Sequence, residues 1–171
     1  MRQFGPIVLD VSTMPYGIDF AVARTNEDRL QHAPPLLTSC VYFVKSRSYR
    51  YFGPSEVNLL VNYLKHTEEL VTFNGLKFDL LVLRRHYGLK GRVPLKGKHT
   101  DLGMIAERRT GRWVKFKEMI ALNLGEEKLD IDRLAHDPVN RSDTNAGCRS
   151  DVRQTYKLWR LLNERALRFP Q

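Results

Sequence analysis

Residues 71–88 have the sequence Val71-Thr72-Phe73-Asn74-Gly75-Leu76-Lys77-Phe78-Asp79-Leu80-Leu81-Val82-Leu83-Arg84-Arg85-His86-Tyr87-Gly88. The stretch begins with a short apolar, β-branched run and breaks at Asn74-Gly75. Beyond the break, apolar residues recur at helical spacing from Leu76 to Tyr87. This pattern predicts a strand, a sharp turn and an amphipathic helix with Asp79 in its first turn.

A carboxylate at the start of a helix has two interpretations. Acidic residues are common there because they oppose the positive end of the helix dipole. Alternatively, Asp79 is a metal ligand or a catalytic group. A single motif of this kind is weak evidence, so the other carboxylates of the chain decide between the two.

The composition is that of one globular domain covering residues 1–171, with 42% hydrophobic and 27% charged residues. No apolar run approaches the length of a membrane span, and residues 1–6 lack the apolar core of a signal peptide. We therefore expect a cytoplasmic protein that has no membrane partner. Cys40 and Cys148 lack metal-type spacing and are expected to be buried thiols.

The net charge of +9 is concentrated in one segment. Residues 84–117 contain eleven basic and two acidic residues, whereas the remainder of the chain is neutral. Clustered cations around an aromatic ring are typical of surfaces that bind a phosphate backbone and stack on bases; the alternative is a solvated face that keeps the chain soluble. The candidate nucleic-acid-binding residues are Asn74, Arg84, Arg85, Lys96, Lys98, Arg108, Arg109, Arg112, Trp113, Lys115 and Lys117.

Asp10 interrupts an apolar run at residues 7–12. An unpaired charge inside a central strand is very costly. Asp10 is therefore either a site residue or a residue at a strand end that water reaches.

The remaining pattern predicts an α/β fold with a mixed sheet. Further strands are expected at residues 18–23 and 37–44, with 49–52 extending the latter or adding a short strand, and at 100–106 as a strand or a short strand that enters a helix. Helices are expected at residues 54–66, 115–124 and 148–167, and a polar, turn-rich stretch at 126–147. The first three strands can form an antiparallel meander, whereas strands separated by helices must be parallel crossovers.

Asp10, Asp79 and Asp151 form a set, with Asp151 expected to open the last helix. Each lies where the chain leaves or crosses the sheet, which is where α/β folds gather ligands. Convergent carboxylates repel one another unless cations lie among them, and oxygen ligands suit Mg²⁺ or Mn²⁺. Two such ions ~3.5–4 Å apart stabilise the attacking and leaving oxygens of a phosphodiester displacement.

In these motifs, at residues 8–11, 71–79 and 148–155, the chain resembles the DEDD, or DnaQ-like, 3′–5′ exonucleases of the ribonuclease H-like superfamily, especially YprB-like and predicted PolB-like exonuclease domains. The stretch 122–128 also echoes a spacer of that group. The resemblance implies a ribonuclease H-like sheet flanked by helices, a two-metal site and a DNA or RNA substrate. It also implies that Asp10 bridges both ions, Asp79 holds the second and Asp151 holds the first.

Two residues that the family uses are absent. Ser12 stands where the family has a metal-binding Glu, and Gly147 or Ala146 stands where it has the Tyr or His that orients the attacking water. A positioned group of the latter kind contributes ~10²–10⁴ in rate. The candidate replacements, each with an equally simple structural explanation, are Ser12 through a water, Asp101, Asp143 and Cys148.

Two functions follow from this combination. The first is a metal-dependent 3′–5′ exonuclease or ribonuclease H-like nuclease with an altered site. The alternative is a weakened or inactive member that binds nucleic acid or docks a partner. A further possibility is a protein-interaction domain whose basic segment docks an acidic protein.

Overall fold

The computed structural model describes residues 4–13, 33–88, 93–129 and 141–171. The strands of this part are β1 (Ile7–Thr13), β2 (Leu36–Phe43), β3 (Ser48–Phe52), β4 (Glu69–Thr72) and β5 (Lys98–Asp101). The helices are α1 (Val57–His66), which follows a 3-10 turn at Pro54–Glu56, α2 (Asp79–Tyr87), α3 (Leu102–Thr110), α4 (Phe116–Leu124) and α5 (Arg141–Asn163). None of the helices described here is long and apolar enough to cross a membrane.

The strands form one mixed sheet in the spatial order β3-β2-β1-β4-β5. β1 pairs antiparallel with β2, and β2 pairs antiparallel with β3. β4 is parallel to both of its neighbours, β1 and β5. The predicted α/β class and mixed sheet are confirmed. Residues 48–52 form a separate strand, and β5 leads directly into α3; the strand predicted at residues 18–23 lies outside the described residues.

The sheet is covered by helices on both faces because side chains of a strand alternate between its two sides. Ile7, Leu9 and Val11 of β1 belong to the apolar cluster that includes α1 and α2. Val8 belongs to the second cluster, with α3, α4 and α5. By this alternation Asp10 faces the second layer, beneath α5.

The last helix differs from the sequence prediction at both ends. α5 begins at Arg141 and ends at Asn163, so residues 141–147 are helical and Asp151 lies well inside the helix rather than in its first turn. Short polar residues are as typical of the first turns of a helix as of an irregular loop, so composition alone did not separate the two. The helix dipole therefore does not account for the position of Asp151.

Candidate active site

The turn after β4 has the geometry that its sequence predicts. Asn74 has φ of 61°, in the left-handed region that Asn tolerates better than most residues. A Cβ on Gly75 would lie 2.5 Å from the Cβ of Thr72, so only glycine fits this position. The carbonyl of Asn74 accepts the N–H of Phe78 at 3.0 Å. This turn starts α2 at Asp79.

Asp101 holds this turn from the neighbouring strand. Its carboxylate accepts the backbone N–H groups of Asn74 at 2.8 Å and Leu76 at 3.0 Å. The same buried carboxylate accepts those of Gly103 at 3.1 Å and Met104 at 3.3 Å, which caps α3. Both oxygens are thus engaged by backbone donors, which is the structural explanation for Asp101 rather than the metal-binding one.

Asp79 joins the start of α2 to β1. Its side chain is buried, and Oδ1 accepts the backbone N–H of Val11 at 2.9 Å. Burial, followed by the charges of Asp10 and Asp101, raises the pKa of Asp79 well above its usual range. Asp79 therefore lies beside Asp10, as the motif spacing predicts, and one of its oxygens already has a structural partner.

Asp10 lies between two other carboxylates. Burial and then the charge of Asp151 raise its pKa from 3.8 to about 7, while the Cys148 thiol and the charge of Lys128 oppose that rise. Its charge in turn raises the pKa of Asp79. The structure thus brings the three predicted aspartates into one electrostatically linked cluster.

The two oxygens of Asp151 have different surroundings. Oδ2 lies 3.0 Å from the ammonium of Lys128. Oδ1 is buried and has no hydrogen-bond partner in the part of the chain that the structure describes. Burial raises the pKa of this carboxyl, while Lys128 opposes the rise.

Lys128 is the residue of this site that sequence reasoning missed. It lies outside the basic segment, and the only signal for it was its place in the spacer stretch 122–128. Its ammonium lies 5.7 Å from the centroid of the Phe116 ring. Phe116 packs on Phe73, with ring centroids 4.8 Å apart.

The carboxylates fit one divalent ion better than two. Among the described residues, no group of three or more His, Cys, Asp or Glu side chains is arranged to hold a metal ion. Asp10 and Asp151 remain as a neighbouring pair, and Asp151 Oδ1 is a buried oxygen without a partner in that part of the chain. Mg²⁺ is commonly bound by one or two carboxylates plus substrate phosphates and water, so this pair can hold one ion.

The positions of the two absent family residues have small side chains or none. Ser12 lies on the same side of β1 as Asp10 because the two residues are two positions apart in the strand. Gly147 is buried about one helical turn before Asp151, and Ala146 is exposed. Neither glycine nor alanine can orient a water molecule with its side chain.

Cys148 has a packing role at this site. The thiol is buried and donates to the backbone carbonyl of Asp10 at 3.3 Å. Burial and a hydrogen bond with Cys40 raise the pKa of Cys148 well above its usual range, against a hydrogen bond with Ser12. A thiol in that state is a poor metal ligand or base. Cys40 is buried as well, as expected.

Part of the basic segment lies next to this cluster. Trp113 is 48% exposed, and the ammonium of Lys77 lies 4.8 Å from the centroid of its ring. Five exposed basic residues lie near Trp113 in the sequence, at the end of α3 and around the start of α4: Arg108, Arg109, Arg112, Lys115 and Lys117.

The remaining predicted binding residues lie elsewhere. Arg85 donates to the carbonyl of Ala33, ahead of β2, and Arg84 precedes it on α2. Lys98 pairs with Glu69 at 3.2 Å, at the end of β5 opposite Asp101, and Lys96 precedes it. The basic segment is therefore divided among several places rather than forming one face.

Asn74 differs from the other predicted binding residues because its amide is directed inward. A Cβ on Gly103 would lie 2.0 Å from Asn74 Oδ1, and that oxygen is buried. Its side chain therefore packs against the start of α3.

The fold is shared with solved structures of nucleic-acid enzymes. The family B DNA polymerase from the hyperthermophilic archaeon Pyrobaculum calidifontis matches with a TM-score of 0.52 and 16% identity, over 92% of this chain and 24% of that chain. The apo form of a nuclease matches with a TM-score of 0.56 and 16% identity, over 95% of this chain and 76% of that one.

These similarities concern the fold alone. The chain spans about a quarter of the polymerase. No protein-family model matches the sequence. No curated protein matches it either.

Proposed function

We propose that this chain is a divalent-metal-dependent nuclease that hydrolyses phosphodiester bonds of DNA or RNA. The observation that carries the proposal is the convergence of Asp10, Asp79 and Asp151 from three distant motifs into one cluster, in which Asp79 is buried and the other two are half-buried. Mutually repelling carboxylates are costly to bury without a cation. The nuclease-like fold supports the same conclusion.

The chain's own residues would bind and orient the substrate. Asp10 and Asp151 would hold Mg²⁺ or Mn²⁺, and Asp79 keeps β1 and α2 in register beside them. When bound, such an ion lowers the pKa of a water molecule and polarises a phosphate. Trp113 is exposed and offers a ring on which a base can stack, and Lys77 lies beside it.

The reaction joins the oxygen of water to phosphorus and breaks the bond between phosphorus and one sugar oxygen. The leaving oxygen takes up a proton, and the attacking water loses one. Gly147 has no side chain that could take that proton, and we propose that it passes to solvent. We expect turnover ~10²–10⁴ below that of a site with a positioned base.

We further propose that the enzyme is a 3′–5′ exonuclease of the DEDD type. The support is the spacing of the three motifs and the Asn74-Gly75 turn that precedes Asp79. A 3′–5′ exonuclease shortens a 5′-labelled strand one nucleotide at a time, whereas an endonuclease cuts the strand internally from the start.

A cleavage assay tests the proposal. Labelled single- and double-stranded DNA and RNA are incubated with Mg²⁺ or Mn²⁺ and with wild type, Asp10→Ala, or Glu164→Gln. The last is a matched control, because Glu164 is exposed and pairs only with Arg160 among the contacts described. We expect wild type and the control to cleave and Asp10→Ala to be inactive. Salt-sensitive binding without cleavage by wild type would reject the nuclease.

A second candidate is a binding module without catalysis. Ser12 and Gly147 favour it, because the site lacks the side chains that the resembled family uses there. It predicts salt-sensitive binding of nucleic acid that neither Asp10→Ala nor chelation of divalent ions changes. If the basic segment instead docks an acidic protein, Arg112→Glu with Lys115→Glu abolishes protein binding and leaves nucleic-acid binding intact.

A further inference from the structure

The two carboxylate oxygens of Asp151 differ in their contacts. Oδ2 is 3.0 Å from the Lys128 ammonium, and Oδ1 is buried without a partner among the described residues. The side chain of Asp151 is 15% exposed and that of Lys128 is 46% exposed. The lysine therefore reaches the carboxylate from the solvent side, where a substrate would approach.

Aromatic contacts help to fix the Lys128 ammonium. It lies 5.7 Å from the centroid of the Phe116 ring, a distance at which a cation is attracted to the face of an aromatic ring. Phe116 is in turn packed on Phe73 at the end of β4. The charge of Lys128 also opposes the rise in the pKa of Asp10, so its field reaches both carboxylates.

Among the described residues, a second divalent ion is disfavoured on both sides of Asp10. Asp79 is buried and its Oδ1 is engaged by the Val11 N–H, and Asp151 Oδ2 is paired with Lys128. At Asp151 Oδ2 a second ion would have to displace the ammonium or lie within a few ångströms of it, and like charges at that distance repel strongly. Ser12 supplies no carboxylate to compensate for the added charge.

We propose that the site holds one divalent ion, between Asp10 and Asp151 Oδ1, and that the Lys128 ammonium takes the place of a second cation at the substrate phosphate. This inference rests on the proposed function for its substrate, but its ion count does not. An ammonium donates hydrogen bonds to phosphate oxygens and stabilises the charge that develops on them. It cannot activate water as a metal ion does, so the two cations have different tasks.

Titration calorimetry with Mn²⁺ and the full chain, without nucleic acid, tests the ion count. We expect one Mn²⁺ per chain for wild type and none for Asp151→Asn. Lys128→Met should bind its ion on the order of tenfold more tightly, because a neighbouring positive charge is removed. Two ions or none on wild type, or unchanged affinity in Lys128→Met, would overturn the proposal.

The matched control is Lys65→Met. Lys65 is exposed on α1, which packs on the opposite face of the sheet from Asp10 and Asp151. Lys65→Met should leave Mn²⁺ affinity and cleavage unchanged, whereas Lys128→Met should lower cleavage ~10²-fold and Lys128→Arg should retain part of it. Thermal unfolding of each variant separates these effects from misfolding.

Ion binding and cleavage test the two proposals separately. If one Mn²⁺ binds and Lys128→Met tightens it, yet no DNA or RNA is cleaved, the proposed function is wrong and the single ion beside Lys128 stands. If wild type cleaves and binds two ions, the proposed function stands and this inference is wrong. Lys128→Met that cleaves like wild type also overturns it.

Discussion

In the acidic cluster of this chain, residues far apart in the sequence are close together in the fold, whereas in the basic segment residues close in the sequence are far apart in the fold. Asp10, Asp79 and Asp151 are far apart in the sequence and meet in one site. The basic residues 84–117 are contiguous in the sequence and spread over α2, β5, α3 and α4. Each aspartate is placed by a strand or a helix that packs on the central strands, whereas the basic segment crosses several elements that point in different directions.

The difference shows that a run of charge in a sequence is not a charged face. Lys98 and Asp101 are both in β5, but they lie at opposite ends of it, about 10 Å apart at ~3.3 Å per residue. Two members of the segment already have acidic partners: Lys98 pairs with Glu69, and Arg112 pairs with Glu118 at 3.0 Å. Near the carboxylates, Trp113 lies beside Lys77, and Phe116 lies beside the Lys128 that pairs with Asp151.

The largest expected effect separates the two regions directly. Asp151→Asn should lower cleavage by ~10²-fold or more because it removes an ion ligand, whereas Lys98→Gln should change the rate less than about twofold. Single-turnover cleavage of a labelled strand measures both. Equal losses in the two variants would mean that the end of β5 contacts substrate as directly as the acidic cluster does.

The next effect concerns stability. Asp101→Ala leaves the N–H groups of Asn74, Leu76, Gly103 and Met104 without their acceptor. We expect a loss on the order of 3 kcal/mol in the free energy of unfolding, measured by urea denaturation. Glu164→Ala, which removes an exposed partner of Arg160, should cost less than about 0.5 kcal/mol. A small effect of Asp101→Ala would mean that the turn holds its shape without the carboxylate.

The sequence predicted the parts of the fold that local chemistry determines. The strand, the Asn74-Gly75 turn and the helix at Asp79 were predicted correctly, because a change of period and a left-handed residue are local signals. The predicted meander of residues 7–12, 18–23 and 37–44 would make residues 37–44 parallel to β1, whereas β2 pairs antiparallel with β1. The parallel pairing of strands separated by helices was predicted correctly, because connection lengths constrain it. The convergence of Asp10 with Asp79 followed from those two results.

Long-range contacts could not be predicted from the sequence. The pairing of Lys128 with Asp151 depends on how the end of α4 meets the middle of α5, and no local period reports that. The first two turns of α5 were missed because their short polar residues suit a loop equally well. The direction of each basic side chain depends on the helix or strand that carries it. A count of charges along the sequence therefore predicted one basic face, whereas the structure distributes these residues over several faces.

A smaller effect is the pH dependence of stability caused by Asp10. Its pKa is about 7 in the folded chain against 3.8 ordinarily, so the folded state holds a proton that the unfolded state has lost. Stability should therefore fall as pH rises from about 4 to 7, with a slope of up to ~1.4 kcal/mol per pH unit from this group. Asp10→Asn should flatten that slope in urea denaturation without divalent ions. If the slope is unchanged in Asp10→Asn, the folded state does not raise the pKa of Asp10, and the carboxylate is surrounded by water.

The smallest effect compares two members of the basic segment in binding alone. In an Asp10→Ala background, Trp113→Ala should weaken binding of a single-stranded oligonucleotide by about 1 kcal/mol, the lower end for one stacked base. Lys96→Gln should leave it nearly unchanged, because Lys96 precedes β5 at the end away from Asp101. Fluorescence anisotropy at fixed salt measures both. If Lys96→Gln weakens binding as much as Trp113→Ala does, the strand path crosses the far end of the sheet, and contiguity in sequence would then be the better guide to the binding surface.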